Sequence, residues 1–156
     1  MPTPSALGGD TPLGMVQTRV MGPQPAVPPA GRTRILIADD DRFFAEMLRS
    51  ALASHDEFEV VGVVGNGAEA VARTDELKPA LVLMDVTMPV LNGIEATRQM
   101  RKLVDPPIVV LITGEDGACG DQRAYEAGAA AYLRKSQELV SVIDVVIAVS
   151  GVATVH

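Results

Sequence analysis

The chain has 156 residues, a formal net charge of −7 and a pI near 4.7. That balance argues against the positively charged face that direct nucleic-acid binding needs. With 47% hydrophobic residues, only 3% aromatic residues and no Trp, the composition describes one domain with an aliphatic core.

Residues 1–33 stand apart. Seven of the chain's eleven prolines (Pro2, Pro4, Pro12, Pro23, Pro25, Pro28, Pro29) lie there, and only Asp10, Arg19 and Arg32 are charged. A segment of this kind buries too little apolar surface to offset its ordering entropy, so it reads as a disordered tail. It lacks the basic start and continuous apolar core of a signal peptide. Met15 and Met21 offer later translation starts.

From Arg34 the pattern alternates. Ile35–Ala38 is a short apolar strand running into Asp39, Asp40 and Asp41. Phe44, Met47, Leu48, Ala51 and Leu52 then recur at helical spacing, so an amphipathic helix follows. Phe58–Val64 predicts a second strand, closed by Gly65-Asn66-Gly67, and 68–77 a helix stopped by Lys78-Pro79. Ala80–Met84 reads as a strand buried on both faces that ends at Asp85, where the Met88-Pro89 step prevents continuation. Asn92-Gly93 marks a turn, and Ile94–Val104 a helix with Ala96, Met100 and Leu103 on one stripe.

Ile108–Ile112 is a fourth buried strand, closed by Thr113-Gly114. Residues 115–128 make a poor helix, interrupted by Gly117 and Gly120, each costing about 1 kcal/mol relative to Ala. A short fifth strand, Ala130–Leu133, precedes Lys135, and 137–150 closes the domain as a helix despite its strand-favouring Val and Ile. Residues 151–156 form a short C-terminal tail. The single cysteine, Cys119, excludes an internal disulfide, fits a reducing compartment and reads as a packing residue. No apolar run reaches membrane-spanning length, so the expected location is the cytoplasm, without membrane association.

Five strand–helix pairs imply an α/β fold, a doubly wound five-stranded parallel sheet with five helices. Right-handed crossovers with one reversal of strand order set the first and third strands side by side. Asp39 and Asp40 then meet Asp85 at the carboxyl edge of the sheet. Clustered carboxylates repel unless a cation neutralises them, and hard oxygen ligands with open positions suit Mg²⁺. Thr113 and Lys135, from the ends of strands four and five, add a hydroxyl and an ammonium. Together they compose a phosphoryl site with a carboxylate nucleophile. Taken singly, each is weak: Asp41 can simply cap the first helix and Lys135 can be a solvated strand end.

The motifs I-L-I-A-D-D, L-V-L-M-D-V-T-M-P-V-L-N-G, V-V-L-I-T-G and A-Y-L-R-K, in this order, are specific. The chain from about Arg34 to Ser150 resembles a response-regulator receiver domain of two-component signalling (CheY-like superfamily), which implies a flavodoxin-like sheet with strand order 2-1-3-4-5. The resemblance implies that Asp85 accepts a phosphoryl group from the phosphohistidine of a sensor histidine kinase. It implies that Asp40, Asp85 and the Thr87 carbonyl hold Mg²⁺ with help from Asp39, that Thr113 and Lys135 contact the phosphoryl oxygens, and that Tyr132 is the aromatic that turns inward with Thr113. The outcome would be a switched surface for a downstream protein target. Such a receiver catalyses only its own phosphorylation and dephosphorylation.

Three positions depart from the commonest pattern or bear on it. Asn92 stands where an Asp often precedes the loop Gly, and Ser136 stands where many relatives have Pro. Gly114 leaves room beside the phosphoryl group for a donor. Thr87 and Glu115 are the residues expected to govern phosphoryl lifetime. The last helix is apolar almost all round, which suggests a homodimer or partner contact through it and its neighbours, or an end exposed by loss of an output domain. The few residues after Ser150 lead to the expectation of a receiver without an output domain, and His156 is assigned no role. The expected protein is therefore a stand-alone receiver. The alternatives are the receiver half of a truncated DNA-binding transcriptional regulator and a phosphorylation-independent binding module. A dehalogenase-type phosphatase fits poorly: Asp39 and Asp41 have its spacing, but Phe43 replaces the required Thr or Val.

Overall fold

A computed structural model describes residues 31–114, 120–136 and 139–151. The chain divides at Arg32/Thr33, and the fold belongs to the second unit, which begins at Thr33. The expected disordered tail, apart from its last three residues, lies outside the described residues, as do Glu115, Gly117, Cys119 and His156.

The second unit runs β1 (Thr33–Ala38), α1 (Arg42–Ala53), β2 (Phe58–Val64), α2 (Gly67–Leu77), β3 (Leu81–Asp85), α3 (Gly93–Met100), β4 (Ile108–Thr113), α4 (Gly120–Ala127), β5 (Ala131–Arg134) and α5 (Leu139–Ser150). All strand pairs are parallel, as the alternating pattern predicted, and they run in the order β2-β1-β3-β4-β5 that the resemblance implied. β1 and β3 are neighbours, with Ala38 opposite Met84, so Asp39, which follows β1, and Asp85, which ends β3, stand side by side.

The core explains why the central strands read as unbroken apolar runs. Leu36, Ala38, Val82, Met84, Val109 and Leu111 point to the face covered by α2, α3 and α4, among them Ala70, Ala96, Met100 and Ala124. Ile35, Ile37, Leu81, Leu83, Val110 and Ile112 point the other way, against Ala45, Leu48 and Leu52 of α1 and Val142, Ile143 and Val146 of α5. Both alternating sets are buried, and each fully buried large aliphatic contributes about 1.5–3 kcal/mol.

Three helices begin with an Asx cap. The Asp41 side chain accepts from the amides of Phe43 and Phe44, that of Asn66 from Glu69, and that of Asn92 from Glu95. Each bond satisfies an orphan donor and is worth about 1 kcal/mol. Asn92-Gly93 therefore opens α3 rather than merely turning the chain. α3 is shorter than its apolar stripe suggested. It ends at Met100, and Lys102 and Leu103 donate to the carbonyls three residues back, at Gln99 and Met100. These tighter turns precede Pro106-Pro107, which cannot continue a helix. Leu103 still packs on the core, half-buried. β5 lies one residue later than its apolar run suggested, because the sheet register pairs Arg134 with Thr113.

Candidate functional site

Every side chain singled out by the sequence at a strand end arrives at the carboxyl edge of the sheet. Asp39 follows β1 directly and is buried; its amide donates to the Val64 carbonyl at 2.9 Å, and its Oδ1 accepts from the Asp41 amide at 2.8 Å. Asp40 is exposed, and Asp85, the last residue of β3, is buried. One carboxylate oxygen from each of Asp39, Asp40 and Asp85 lies within 4.8 Å of the others. Asp41, one residue on, is spent on the α1 cap.

Lys135 follows β5. Its backbone is anchored by donation to the Thr113 carbonyl at 2.8 Å, and its ammonium lies 3.0 Å from Asp39 Oδ2 and 3.5 Å from Asp85 Oδ2. Burial opposes its charge, but the hydrogen bond to Asp39 and the charges of Asp85, Asp39 and Asp41 outweigh it and hold the ammonium above its usual pKa. Thr113 closes β4 and is buried.

Asp85 is the perturbed group. Burial and the neighbouring Asp39 charge push its pKa up to about 6, with Lys135 and a backbone hydrogen bond from Thr87 pulling down and Asp40 pushing further up. Asp85 Oδ1 is buried and has no hydrogen-bond partner among the described residues. A buried acceptor without a donor, at the meeting point of three hard oxygen ligands, fits a small divalent cation. The donor set can hold a metal, and Thr87, exposed just beyond Asp85, places its backbone beside it.

The loop after β3 is braced onto this edge. The Gly93 amide donates to the Val86 carbonyl at 2.8 Å, and a Cβ at Gly93 would fall on the Asp85 carbonyl oxygen. Only glycine admits α3 this close behind the acidic cluster. Tyr132 lies half-buried on β5, packed against the α2–α3–α4 side of the core, with its hydroxyl in the space a Cβ at Gly120 would occupy. The sequence marked Gly120 only as a helix breaker; this contact escaped it because nothing local signals which side chain from another strand will lie there.

The response regulator receiver domain family matches residues 35–147. The chain belongs to that family. Over 121 residues it is 37% identical to the transcriptional regulatory protein LiaR of Bacillus subtilis, covering 75% of this chain and 56% of that one. It is 35% identical over 111 residues to a protein-glutamate methylesterase/protein-glutamine glutaminase of Methanococcus maripaludis, covering 70% of this chain and 30% of that protein. Among solved structures, the receiver domain of the response regulator NarL from Mycobacterium tuberculosis superposes with a TM-score of 0.74 at 26% identity, over 78% of this chain and 98% of that one. The response regulator domain of Thermotoga maritima CheB gives 0.72 at 30% identity, with the same coverage.

The two curated relatives bear different names, one a transcriptional regulator and the other a methylesterase/glutaminase. This chain spans about half the length of LiaR and under a third of the methylesterase. No helix of the described residues is long and apolar enough to cross a membrane.

Proposed function

We propose that this receiver is a phosphoacceptor switch in which Asp85 takes a phosphoryl group from the phosphohistidine of a sensor histidine kinase. In that step a carboxylate oxygen of Asp85 forms the new O–P bond as the P–N bond to the donor imidazole breaks. The observation that carries the reading is the meeting of Asp39, Asp40 and Asp85 with the Lys135 ammonium around a buried carboxylate oxygen that lacks a donor.

Asp39, Asp40, Asp85 and the Thr87 carbonyl would hold Mg²⁺. When bound, that ion neutralises the carboxylates and the charge on the phosphoryl oxygens. Lys135 and Thr113 would contact the remaining phosphoryl oxygens, the first as a point charge and the second through its hydroxyl. Burial of Asp85 at the strand end keeps the nucleophile poorly solvated, and its attachment to the rigid sheet fixes its direction of attack. Tyr132 with Thr113 would carry the change to the surface formed by α4, β5 and α5, where a downstream protein target docks. The exposed Val140 of α5, 66% accessible, suits a self- or partner contact there. The domain would be Arg34–Ser150, working in the cytoplasm and acting on itself rather than on a separate substrate.

A second reading follows from the relatives' length. In LiaR a receiver of this kind occupies about half of a transcriptional regulator, so the same switch could serve a longer regulator with its own output part.

The test is the intact mass of the protein after incubation with acetyl phosphate, with and without Mg²⁺, beside Asp85→Asn. A single phosphoryl adduct that requires Mg²⁺ and is absent from Asp85→Asn supports the switch. The absence of an adduct under every condition leaves a binding module of receiver fold.

A further inference from the structure

Lys135 carries a flexible four-carbon stem, and its ammonium needs a defined place if it is to meet a phosphoryl oxygen. Two of its neighbours are Asp39 and Asp85. A third is not charged. The ring of Phe44, in the first turn of α1, lies under the ammonium with its centroid 4.7 Å from Nζ. The Phe44 amide is tied to the Asp41 cap at 3.2 Å, and its ring is half-buried against the α1–α5 side of the core. The ring is therefore held in place from both ends. Its neighbour Phe43 is 76% exposed and takes no part.

We propose that Phe44 is a positioning residue for Lys135, its ring face holding the ammonium over the acidic edge by a cation–π contact. The argument rests on the phosphoacceptor reading. A divalent cation shared by Asp39, Asp40 and Asp85 neutralises the carboxylates that hold Lys135 and itself repels the ammonium. The ring quadrupole is untouched by that change and keeps attracting the cation. A carboxylate in place of the ring would also hold Lys135, but it would repel the incoming phosphoryl oxygens. An aromatic face holds the ammonium without doing so.

Fluorination tests this directly, because it drains the ring face of negative potential while nearly preserving shape. Full-length protein carrying mono-, di- and trifluorophenylalanine at position 44 is compared with Phe44→Tyr and Phe44→Leu. Two readouts are taken: the rate of Asp85 phosphorylation by acetyl phosphate at saturating Mg²⁺, and the proton shifts of the Lys135 ε-methylene in metal-free protein. The rate is expected to fall stepwise with fluorination, roughly three- to tenfold over the series, with Phe44→Leu at the low end and Phe44→Tyr near wild type. The ε-methylene protons are expected upfield in wild type and at ordinary positions in Phe44→Leu. Phosphorylation with a flat fluorination series, or ε-methylene shifts unchanged in Phe44→Leu, overturns the role of the ring alone. A wild-type protein that takes up no phosphoryl group while the upfield shift persists overturns the phosphoacceptor reading, and with it the purpose assigned to the ring.

Discussion

The Lys135 ammonium, just past the edge strand β5, stands 3.0 Å from Asp39, just past β1, with β4 and β3 between the two strands. Asp85 lies between them, 3.5 Å from the same ammonium. One cation thus faces three clustered carboxylates, and the edge remains short of positive charge. Asp85 shows it most, since burial and Asp39 together outweigh what Lys135 supplies.

That imbalance makes Asp85 a cost to the metal-free fold at neutral pH. Its pKa is about 6 in the folded chain, above its ordinary value of 3.8. Between those pH values the folded state keeps a proton the unfolded state has lost, so stability falls as pH rises through this window and the deficit persists above it. Asp85→Asn removes the ionisation. Urea unfolding at pH 7 without divalent ions should show the variant more stable by about 1–2 kcal/mol, after allowance for solvent at the open rim. The two curves should converge below about pH 4. Equal stability at pH 7 would show that the charge on Asp85 is already compensated.

Mg²⁺ should stabilise this edge. A ligand that binds only the folded state at ten times its Kd adds about 1.4 kcal/mol, or roughly 4–6 °C in melting temperature for a domain of this size. Because the metal needs an ionised Asp85, the gain should shrink as pH falls below about 6. Asp40→Asn should reduce it, since Asp40 contributes one of the three converging oxygens. Calorimetry across pH 5–8 reads both effects. A Mg²⁺ gain independent of pH and of Asp40 would place the ion elsewhere.

Most of this edge was legible in the sequence because buried parallel strands announce themselves. Ile35–Ala38, Leu81–Met84 and Ile108–Ile112 are apolar on both faces, so each must end where its first carboxylate or hydroxyl appears. The sheet order then brings Asp39, Asp85, Thr113 and Lys135 together. Side-chain relationships across elements were not legible. Phe44 read as one more residue of an amphipathic stripe, yet its ring lies beneath Lys135, which is distant in sequence. Helix ends were half legible: the Asp41 cap was anticipated, whereas α3 stops before Leu103 because the chain tightens ahead of Pro106-Pro107.

Backbone strain gathers in the loop behind Asp85. Val90 has φ +70° and sits in a turn closed by the Leu91 amide donating to the Pro89 carbonyl at 2.7 Å. A β-branched residue is poorly suited to this conformation, and its side chain is 81% exposed, so little packing offsets the cost. Val90→Gly should raise stability by about 1 kcal/mol. Lys78, with φ +53° at the end of α2, is unbranched, and Lys78→Gly should gain about half as much. Denaturant midpoints for the two variants test the ranking, and a loss on Val90→Gly would refute the assignment of strain.

Gly120 opens α4, where alanine would ordinarily strengthen the helix by up to about 1 kcal/mol. Here a Cβ would fall on the Tyr132 hydroxyl and lie 3.0 Å from its Cζ. The ring is the movable partner, so Gly120→Ala should displace Tyr132 from its place against the core rather than distort the helix. The propensity gain should then be lost in the wild-type background and return when Tyr132→Ala removes the ring. A double-mutant cycle should give a coupling of about 1 kcal/mol. The aromatic proton shifts of Tyr132 should move in Gly120→Ala while those of Tyr125, exposed on the same helix, stay fixed. Additive effects with an unmoved Tyr132 spectrum would mean that the ring already has room, and that Gly120 is only a weak start to the helix.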